Sequence, residues 1–428
     1  MEVLIITYGS RGDVQPYVAL GRGLQDAGHE VMLATSVRFE EFVESNGLAY
    51  GYLNDDLLSI IDTDQGKELI EKAGNLYEIA KRTYTMARQV APLQKQLMRE
   101  SWEVAKTFQP DFIVFHSKGG AAPHIAEKLG IGCALATPIP MFVPTGAWRF
   151  VVAPDWNLGA WYNRASYRLI HLLVNRVWRK YVRSFRAGLD LPPIAEFDFL
   201  KEADGTPIPI IHAHSEAVLP RPDDWPDYAY ITGYWFLDGP NDWEPPQTLT
   251  DFLEAGPPPV YVGFGSMAGR DPKRMAEIVV EALQRVGLRG IIATGWGGLS
   301  ADDLPETILK IDEAPHEWLF PKMAAVVHHG GAGTTAAGLR AGKPSVLVPF
   351  FADQPFWASR VYALGAGPKA IPRKRLTVDK LAAALKEATT NQDIIDKAAS
   401  LGAEIRKEHG VANAVGLIER LAKVSELS

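Results

Sequence analysis

The sequence predicts an α/β protein of two domains, on three observations. At 428 residues the chain is longer than one hydrophobic core usually serves. Short apolar runs typical of buried strands alternate with longer amphipathic runs typical of helices. The alternation occurs twice, on either side of a stretch rich in proline, tryptophan and aspartate at about 220–250. Because strand–helix alternation favours a parallel sheet covered by helices on both faces, we expect two Rossmann-like domains.

The first half of the chain contains four predicted strands with helices between them. The strands are 3–8, 30–35, 111–116 and 133–139, and the helices are 14–29, 37–47 and 121–130. After Pro138 the pattern changes to an apolar, aromatic and proline-rich stretch. A further helix is predicted from about Ala165 to Gly188.

The second half repeats the alternation and ends in an amphipathic helix. Its strands are predicted at 259–266, 290–295, 324–329 and 344–350, and its helices at 272–287, 334–342 and 411–426. The domain bounds that follow are 1–220 for an N-terminal domain, 221–250 for a linker, 251–405 for a C-terminal domain, and 406–428 for a last helix that packs back on the first domain. Two facing domains would leave a cleft, where small ligands usually bind.

Composition excludes several classes of protein. The net charge of -7 and an isoelectric point near 5.9 argue against a nucleic-acid binder. Cys133 is the single cysteine, so neither an intrachain disulfide nor a cysteine-rich metal site is possible. The chain starts on a strand pattern rather than a signal peptide, and no apolar run reaches transmembrane length. We therefore expect a cytoplasmic protein.

The most informative segment is AAVVHHGGAGTTAAGL, which predicts a phosphate-binding turn. A buried strand ends at His328 and His329, and Gly330, Gly331 and Gly333 then allow a tight turn close to a ligand. Thr334 and Thr335 begin a helix, as capping residues do. The start of a helix after a glycine turn presents free N–H groups and a partial positive charge. The alternative is a glycine turn that only packs a helix on a strand.

Two further groups of this half fit a ligand site. Ser266 follows the strand in VYVGFGSM and could face the same phosphates. Asp353 and Gln354 follow another strand, and an acid beside an amide can bind vicinal sugar hydroxyls. Each has an ordinary structural alternative, a strand-to-helix turn for Ser266 and a solvated loop for the pair.

These residues lie in a longer pattern, APHEWLFPKMAAVVHHGGAGTTAAGLRAGKPSVLVPFFADQPFWASRV. It resembles the donor-binding signature of nucleotide-sugar glycosyltransferases of the GT-B fold, most closely the sterol 3-beta-glucosyltransferases of the UDP-glycosyltransferase superfamily. The segments GSRGDVQPYVALGRGL, DFIVFHSKGGAAPHIAEKLGI, ITGYWFLD and PPVYVGFGSM extend the resemblance over most of the chain. It implies an inverting, metal-independent transfer of a hexose, with glucose expected, from a UDP-sugar to the hydroxyl of a sterol or related lipid.

The resemblance also implies which residues bind the donor. In the family the histidine matching His328 contacts the diphosphate, and the pair matching Asp353 and Gln354 holds sugar hydroxyls. Plant-type members carry a uracil-stacking tryptophan where this chain has Glu313, and a ribose-binding glutamate where it has Ala336 or Ala337. The expected donor-binding residues are Ser10, Arg11, Gly265, Ser266, Trp296, His316, His328, Gly330, Gly331, Ala332, Gly333, Thr334, Thr335, Asp353 and Gln354.

Asp13 is the expected catalytic residue. An acceptor hydroxyl must lose its proton as it attacks the sugar, so the first domain must supply a general base. Asp13 lies in the turn after the first strand, and several bacterial relatives have an aspartate in this turn. His116, at the end of DFIVFH, could pair with it or replace it. A partly apolar pocket that raised the pKa of Asp13 would help. The alternative role for Asp13 is as the N-cap of the following helix.

The acceptor is expected to be apolar. The irregular stretch after Pro138 is rich in large apolar side chains outside any periodic pattern. The candidate acceptor-binding residues are Met141, Phe142, Trp148, Phe150, Trp156 and Trp161. The alternative is that these side chains pack a satellite core.

The segment 156–189 has an unusual charge pattern for an acidic protein. It carries six arginines and one lysine interleaved with aromatic residues, and no acidic residue before Asp190. A basic aromatic face could rest on anionic lipid and give access to a membrane-dissolved acceptor. The alternative is a solvated helix face.

Other functions stay open at this point. A macrolide or polyketide glycosyltransferase would show the same donor features, and so would a nucleotide-sugar-binding module without catalysis. A dehydrogenase is disfavoured because neither glycine turn reads GxGxxG with an acid about 20 residues on. The pairs His212 with His214 and His328 with His329 have no cysteine or third histidine beside them in the sequence to complete a zinc site. We therefore expect neither a metal nor a cofactor beyond the UDP-sugar.

Overall fold

The computed structural model describes residues 1–62, 76–238, 243–265, 272–293 and 304–425. The chain forms two compact units. The first consists of Met1–His214, Arg221–Leu237 and His409–Ser428, and the second of Ser215–Pro220 and Asp238–Glu408. The chain therefore crosses between the units four times, whereas a single linker would cross once.

The first unit contains a seven-stranded parallel sheet. Its elements are β1 (Glu2–Ile6), α1 (Arg11–Asp26), β2 (Glu30–Ser36), α2 (Glu40–Glu44), β3 (Ala49–Leu53), α3 (Asp56–Asp62), α4 (Leu76–Phe108), β4 (Phe112–His116), α5 (Ala122–Leu129), β5 (Gly132–Thr137), α6 (Gly159–Gly188), β6 (Ile210–His212) and β7 (Ala229–Ile231). The strands lie in the order β3-β2-β1-β4-β5-β6-β7. The predicted strands at 3–8, 30–35, 111–116 and 133–139 are confirmed as β1, β2, β4 and β5.

The second unit contains a five-stranded parallel sheet. Its elements are α7 (Gln247–Glu254), β8 (Val260–Gly263), α8 (Pro272–Arg285), β9 (Gly290–Ala293), β10 (Ile308–Ile311), α9 (His316–Leu319), β11 (Ala325–His328), α10 (Ala332–Arg340), β12 (Ser345–Leu347), α11 (Gln354–Ala363), α12 (Val378–Thr390) and α13 (Gln392–Ile405). The strand order β10-β9-β8-β11-β12 repeats the order of the first five strands of the other sheet. The predicted α/β class with two Rossmann-like sheets is confirmed.

Strand β1 shows why the first sheet is buried on both faces. Val3 and Ile5 pack into the core on the side of α1, and Leu4 and Ile6 pack into the core on the side of α4 and α5. Successive side chains of a strand point to opposite faces, so a continuous apolar run fills both cores.

The last helix, α14 (Gly410–Ser425), belongs to the first unit. Ala414, Leu417 and Ile418 are buried in the same core as the apolar face of α1. The His29 Nε2 atom lies 3.0 Å from the Glu419 carboxylate, which fixes the helix against the turn after α1.

The predicted linker 221–250 differs from the structure. Residues 221–237 lie in the first unit, because β7 pairs with β6 and the Trp235 ring is buried against Tyr17. Residues 215–220 instead lie in the second unit, where Arg360 donates to the Val218 carbonyl. A proline-rich composition marks irregular chain, and in this protein much of that chain is packed.

Candidate active site

The first unit has its topological switch point between β1 and β4. From β1 the sheet grows outward through β2 and β3, and from β4 it grows the other way through β5. In open parallel sheets, ligands bind in the crevice at the carboxyl ends of the strands at such a point. Asp13 follows β1 and His116 is the last residue of β4, so both predicted catalytic residues lie there.

The turn between β1 and α1 depends on Gly9. Its φ of 146° is one that residues with side chains rarely adopt. A Cβ atom at this position would lie 2.2 Å from the Asp13 Oδ2 atom and 2.5 Å from the Lys118 Nζ atom. The glycine therefore leaves room for the Asp13 carboxylate and the Lys118 ammonium to meet.

Asp13 uses its two carboxylate oxygens differently. Its Oδ2 accepts hydrogen bonds from the Ser10 backbone N–H at 2.7 Å, the Ser10 hydroxyl at 3.0 Å and the Lys118 ammonium at 3.1 Å. Its Oδ1 lies 3.6 Å from the His116 Nε2 atom. The side chain is 21% exposed, so this carboxylate is fixed but accessible.

Helix α1 begins earlier than the sequence predicts. It starts at Arg11 with Ser10 as its N-cap, whereas the predicted start at residue 14 would make Asp13 the cap. Asp13 is instead the third helical residue, where its carboxylate accepts the N–H of the cap residue. Asp13 is thus not the N-cap, but it stabilises the start of the same helix as the third residue of a capping box.

The electrostatic surroundings keep Asp13 ionised and His116 neutral. Burial tends to raise the pKa of Asp13, but Lys118, His116 and the Ser10 N–H together hold that pKa below its usual range. Burial, with the nearby Lys118 charge, lowers the pKa of His116 to about 4 despite the Asp13 carboxylate. A raised pKa, which would help Asp13 to act as a base, is therefore not found, because the Lys118 ammonium lies beside the carboxylate.

The tautomer of His116 follows from its neighbours. The backbone N–H of Lys118 donates to the Nδ1 atom at 3.4 Å, which leaves the proton of the neutral ring on Nε2. That N–H faces the Asp13 Oδ1 atom. His116 can therefore orient the carboxylate without carrying a charge.

A narrow, mainly apolar crevice lies beside Lys118. Gln94 is 8% exposed, and its Nε2 atom has no hydrogen-bond partner within the described part of the chain. Sequence reasoning missed this crevice because four of its eleven lining residues come from α4, which the periodicity did not reveal. Its lining residues are Ile6, Tyr8, Leu53, Gln94, Leu97, Met98, Ser101, Lys118, Gly119, Gly120 and Ala121.

The six predicted acceptor residues do not come together. Met141, Phe142, Trp148 and Phe150 pack in or against the core of the first unit, as the satellite-core alternative holds. Trp156 and Trp161 are on the surface. Of these six large apolar side chains, four pack in or against the core and two are exposed to solvent, so they do not line a common pocket.

The second unit has the same kind of switch point, between β8 and β11. His328 ends β11 and pairs in register with Gly263, the last residue of β8. Gly265 follows with a φ of 58°, which turns the chain sharply at the carboxyl edge. Ser266 and Trp296, two predicted donor-binding residues, lie outside the described residues.

The two adjacent histidines have different surroundings. His328 is fully buried, its Nδ1 accepts the Gly330 N–H at 3.1 Å, and its Nε2 lies near Gly338 beneath α10. His329 is only half-buried, and its ring lies beside Gly265 and Gly331 at the two glycine turns. The structure therefore places His329 beside the two glycine turns at the carboxyl edge of the sheet, and His328, the expected diphosphate contact, in the core.

The glycine turn leads into α10 as predicted. Gly330 has a φ of 90°, and a Cβ atom there would lie 3.2 Å from the Gln354 carbonyl oxygen. Gly331 is the N-cap, so the N–H groups of the first turn, at Ala332, Gly333 and Thr334, are free of helical partners. The Thr335 hydroxyl is buried and has no hydrogen-bond partner among the residues described.

Asp353 and Gln354 are partly engaged in holding their own loop. The Gln354 Oε1 atom accepts the backbone N–H of Phe350 at 2.8 Å, and the Asp353 Oδ2 atom accepts the Trp357 indole N–H at 3.0 Å. Ala352 has a φ of 55°, an unusual conformation for alanine. The loop is held in a fixed shape at the start of α11.

The other predicted donor residues lie in different elements of the two units. His316 begins α9 and stacks on the Phe320 ring at 4.2 Å in the second unit. Ser10 and Arg11 are exposed in the first unit, and the Arg11 guanidinium lies 4.8 Å from the centre of the Phe42 ring.

Neither a metal site nor a membrane span is found in the described ranges. No group of three histidine, cysteine or acidic side chains is arranged to hold a metal ion there. No helix in those ranges is both long enough and apolar enough to cross a bilayer.

Comparisons with known proteins identify the family. A model described as the glycosyltransferase family 28 N-terminal domain matches residues 3–145, and one described as the erythromycin biosynthesis protein CIII-like C-terminal domain matches residues 281–420. The glycotransferase of kitacinnamycin has a TM-score of 0.72 and 19% identity over 98% of both chains. VinC, solved with dTDP, has a TM-score of 0.70 and 19% identity over 99% of this chain and all of that one. Both structures show the GT-B fold.

Curated relatives match over nearly the whole chain. A sterol 3-beta-glucosyltransferase of Arabidopsis thaliana is 35% identical over 98% of this chain and 68% of its own length, and a second is 37% identical over 97% and 64%. The enzyme of that name from Yarrowia lipolytica is 37% identical over 98% of this chain, which spans 29% of that longer protein. With this identity over this length, the chain belongs to the glycosyltransferase family that contains the sterol 3-beta-glucosyltransferases.

Proposed function

We propose that this protein transfers glucose from UDP-glucose to the 3-hydroxyl of a sterol, with inversion at the sugar carbon. The observation that carries the proposal is the match, over 98% of this chain, to enzymes named for that reaction. The site geometry is consistent with it, since one unit offers an accessible carboxylate and the other a phosphate-binding turn.

The donor is proposed to bind at the start of α10. Free N–H groups of the first turn and the partial positive charge of a helix N-terminus favour a diphosphate. The buried hydroxyl of Thr335 and the half-buried ring of His329 add polar groups at the same edge. These groups would stabilise the charge that develops on the leaving UDP, so we propose that neither a metal nor another cofactor is needed.

The base is proposed to be Asp13. As the acceptor oxygen forms its bond to C1 of the sugar, the bond from C1 to the phosphate oxygen breaks and UDP leaves with the electron pair. The acceptor proton passes to the Asp13 Oδ1 atom, which His116 orients and the other hydrogen bonds do not occupy. A single displacement of this kind inverts the configuration at C1.

The acceptor is proposed to bind beside Lys118 at an apolar crevice that is closed in this structure and opens to admit the acceptor. The crevice is lined chiefly by apolar side chains and adjoins the lysine that holds Asp13. The Gln94 amide N–H could donate to an acceptor oxygen there, since burial of an unpaired amide is costly. We therefore expect the larger side chain of Met98→Trp to hinder that opening and raise the KM for the acceptor about tenfold, with the Kd of UDP-glucose unchanged.

The test is UDP release from UDP-glucose with a sterol panel and, separately, a panel of polyketide aglycones, each with and without EDTA. Sterol-dependent release that resists EDTA and gives a β-glucoside by NMR is the expected result. Release with polyketides alone would keep the transferase and overturn the sterol acceptor. UDP binding without release for any acceptor would indicate a binding module. If Met98→Trp left the acceptor KM unchanged, the crevice would not be the acceptor site.

His329 offers a second test on the donor side. His329→Ala is expected to raise the Kd of UDP about tenfold, because a polar contact to the diphosphate is lost. Titration calorimetry with UDP measures this directly. Glu387→Ala, on α12 of the same unit, serves as an exposed control that should bind UDP as the wild type does. If His329→Ala left the Kd of UDP unchanged, His329 would not contact the diphosphate, and the other groups of the turn would bind it.

A further inference from the structure

Helix α6 carries an apolar surface that no part of the described chain covers. Twelve large hydrophobic side chains are exposed among the residues described, and eight of them lie between Val152 and Val177. Trp161 is 76% exposed and Leu172 is 66% exposed. A concentration of this kind on one segment marks an interaction surface, whereas single exposed apolar residues are ordinary. The eight are Val152, Trp156, Leu158, Trp161, Leu169, Leu172, Leu173 and Val177.

This surface is separate from the packing of α6 in the fold. Tyr167, Tyr181 and Phe185 are buried and lie on one side of the helix, which packs against α4. At 100° per residue, Leu169, Leu172 and Leu173 lie on the opposite side. The helix therefore has a second apolar face in addition to the one that its own core requires.

The positive charge of the same helix indicates that its binding partner is negatively charged. Helix α6 contains no acidic residue. Two of its basic side chains are used internally, since Arg186 pairs with Glu127 and Arg164 with Asp224. Five others are exposed on the solvent side of the helix: Arg168, Arg176, Arg179, Lys180 and Arg183.

We propose that the face of α6, together with residues 152–158, docks on an anionic lipid bilayer. Arg176, Lys180 and Arg183 lie on the same side of α6 as the three leucines, further along the helix. An apolar patch that is continued by basic side chains and flanked by tryptophans suits the interface of an anionic membrane. A second copy of this chain would place five cations against five like charges, which disfavours a symmetric dimer through this face. Trp156 and Trp161 thus contact lipid and not the acceptor. The inference goes beyond the proposed function, because it concerns where the enzyme works and does not depend on its acceptor.

The experiment is co-sedimentation of the full chain with phosphatidylcholine vesicles, with and without phosphatidylserine. The wild type is expected to bind the vesicles that contain phosphatidylserine and to be released as salt rises. A triple variant, Leu169→Gln, Leu172→Gln and Leu173→Gln, is expected to bind at least about tenfold more weakly. Arg176→Gln, Arg179→Gln and Lys180→Gln together should abolish the preference for phosphatidylserine.

The matched control is Tyr362→Ser, which removes a side chain that is also exposed but lies in the second unit. It should bind vesicles as the wild type does. A cooperative urea transition followed by tryptophan fluorescence and circular dichroism shows that each variant is folded, independently of whether sterol is the acceptor. Wild-type protein that stays in solution with both vesicle types would overturn the proposal, and so would a glutamine triple variant that binds like the wild type. A dimer that the triple variant dissociates, without vesicle binding, would assign the face to a second copy instead.

Discussion

Asp13→Asn is expected to lower kcat for glucosyl transfer by about 10²–10⁴, the usual contribution of a general base. The amide keeps the size of the side chain but cannot take the proton of the acceptor hydroxyl. The Kd of UDP-glucose should stay the same, because the donor groups lie in the other unit. Steady-state UDP release measures kcat, and calorimetry measures the donor affinity.

A control must separate catalysis from the structural role of Asp13, since its carboxylate also accepts from Ser10 and Lys118. Asp55→Asn is the matched variant. Asp55 is 24% exposed, and hydrogen bonds from Arg38, Ser36 and Ser59 offset its burial and hold its pKa below the usual range. It should lose comparable thermal stability and keep its kcat within a few fold. If Asp13→Asn retained more than a tenth of the wild-type kcat, Asp13 would not be the base.

Stability is expected to fall steeply as the pH is lowered from about 6.5 toward 4. Burial lowers the pKa of His116, His124 and His329 to about 4, and it also lowers the pKa of His212 and His328 well below the ordinary 6.5. Between these values the unfolded chain binds more protons than the folded one, so acid favours unfolding. The stabilisation is complete above pH 6.5, and each such histidine removes up to about 1.4 kcal/mol per pH unit below it. Carboxylates with lowered pKa values, such as Asp13, act only at lower pH.

Urea unfolding midpoints at pH 7.5, 6.5 and 5.5 would measure this slope, and His212→Phe tests its cause. The His212 ring is fully buried and stacks on Trp225 at 4.5 Å. Neither ring nitrogen has a hydrogen-bond partner in the described portion of the chain. Phenylalanine keeps the stacked ring and cannot be protonated, so the variant should be at least as stable at pH 7.5 and more stable than the wild type at pH 5.5. An unchanged midpoint across this pH range would contradict the assignment.

The sequence predicts the long, apolar strands well and the short or half-exposed elements poorly. Strands β1, β4 and β5 are continuous apolar runs because both faces of the sheet are covered. Strands β6 and β7 have three residues each, which is too few for any period to show. The sequence pattern does not predict helix α4. Pro92 lies within this helix, and a proline usually indicates that a helix ends.

The site divides in the same way. The glycine turn and the two switch-point residues after β1 and β4 follow from local pattern, since parallel strands bring their carboxyl ends to one edge. The choice between His328 and His329 does not, because adjacent residues at a strand end point to opposite sides and the pair HH gives no register. The exposure of Trp156 and Trp161 could not be predicted either, because the sequence does not distinguish an exposed apolar side chain from one in the core.

Helix α14 has a consequence for the order in which the chain folds. Its residues complete the core around α1, where the Val411 side chain packs on Gly23 and Leu417 and Ile418 are buried. The first unit therefore needs a segment that the ribosome makes after the entire second unit. Until then the apolar side of α1 lacks its cover, while residues 238–408 are already complete and free to fold. The unit that begins the chain is thus the last to finish, and a nascent chain stalled before residue 410 would present an open hydrophobic surface to chaperones and proteases.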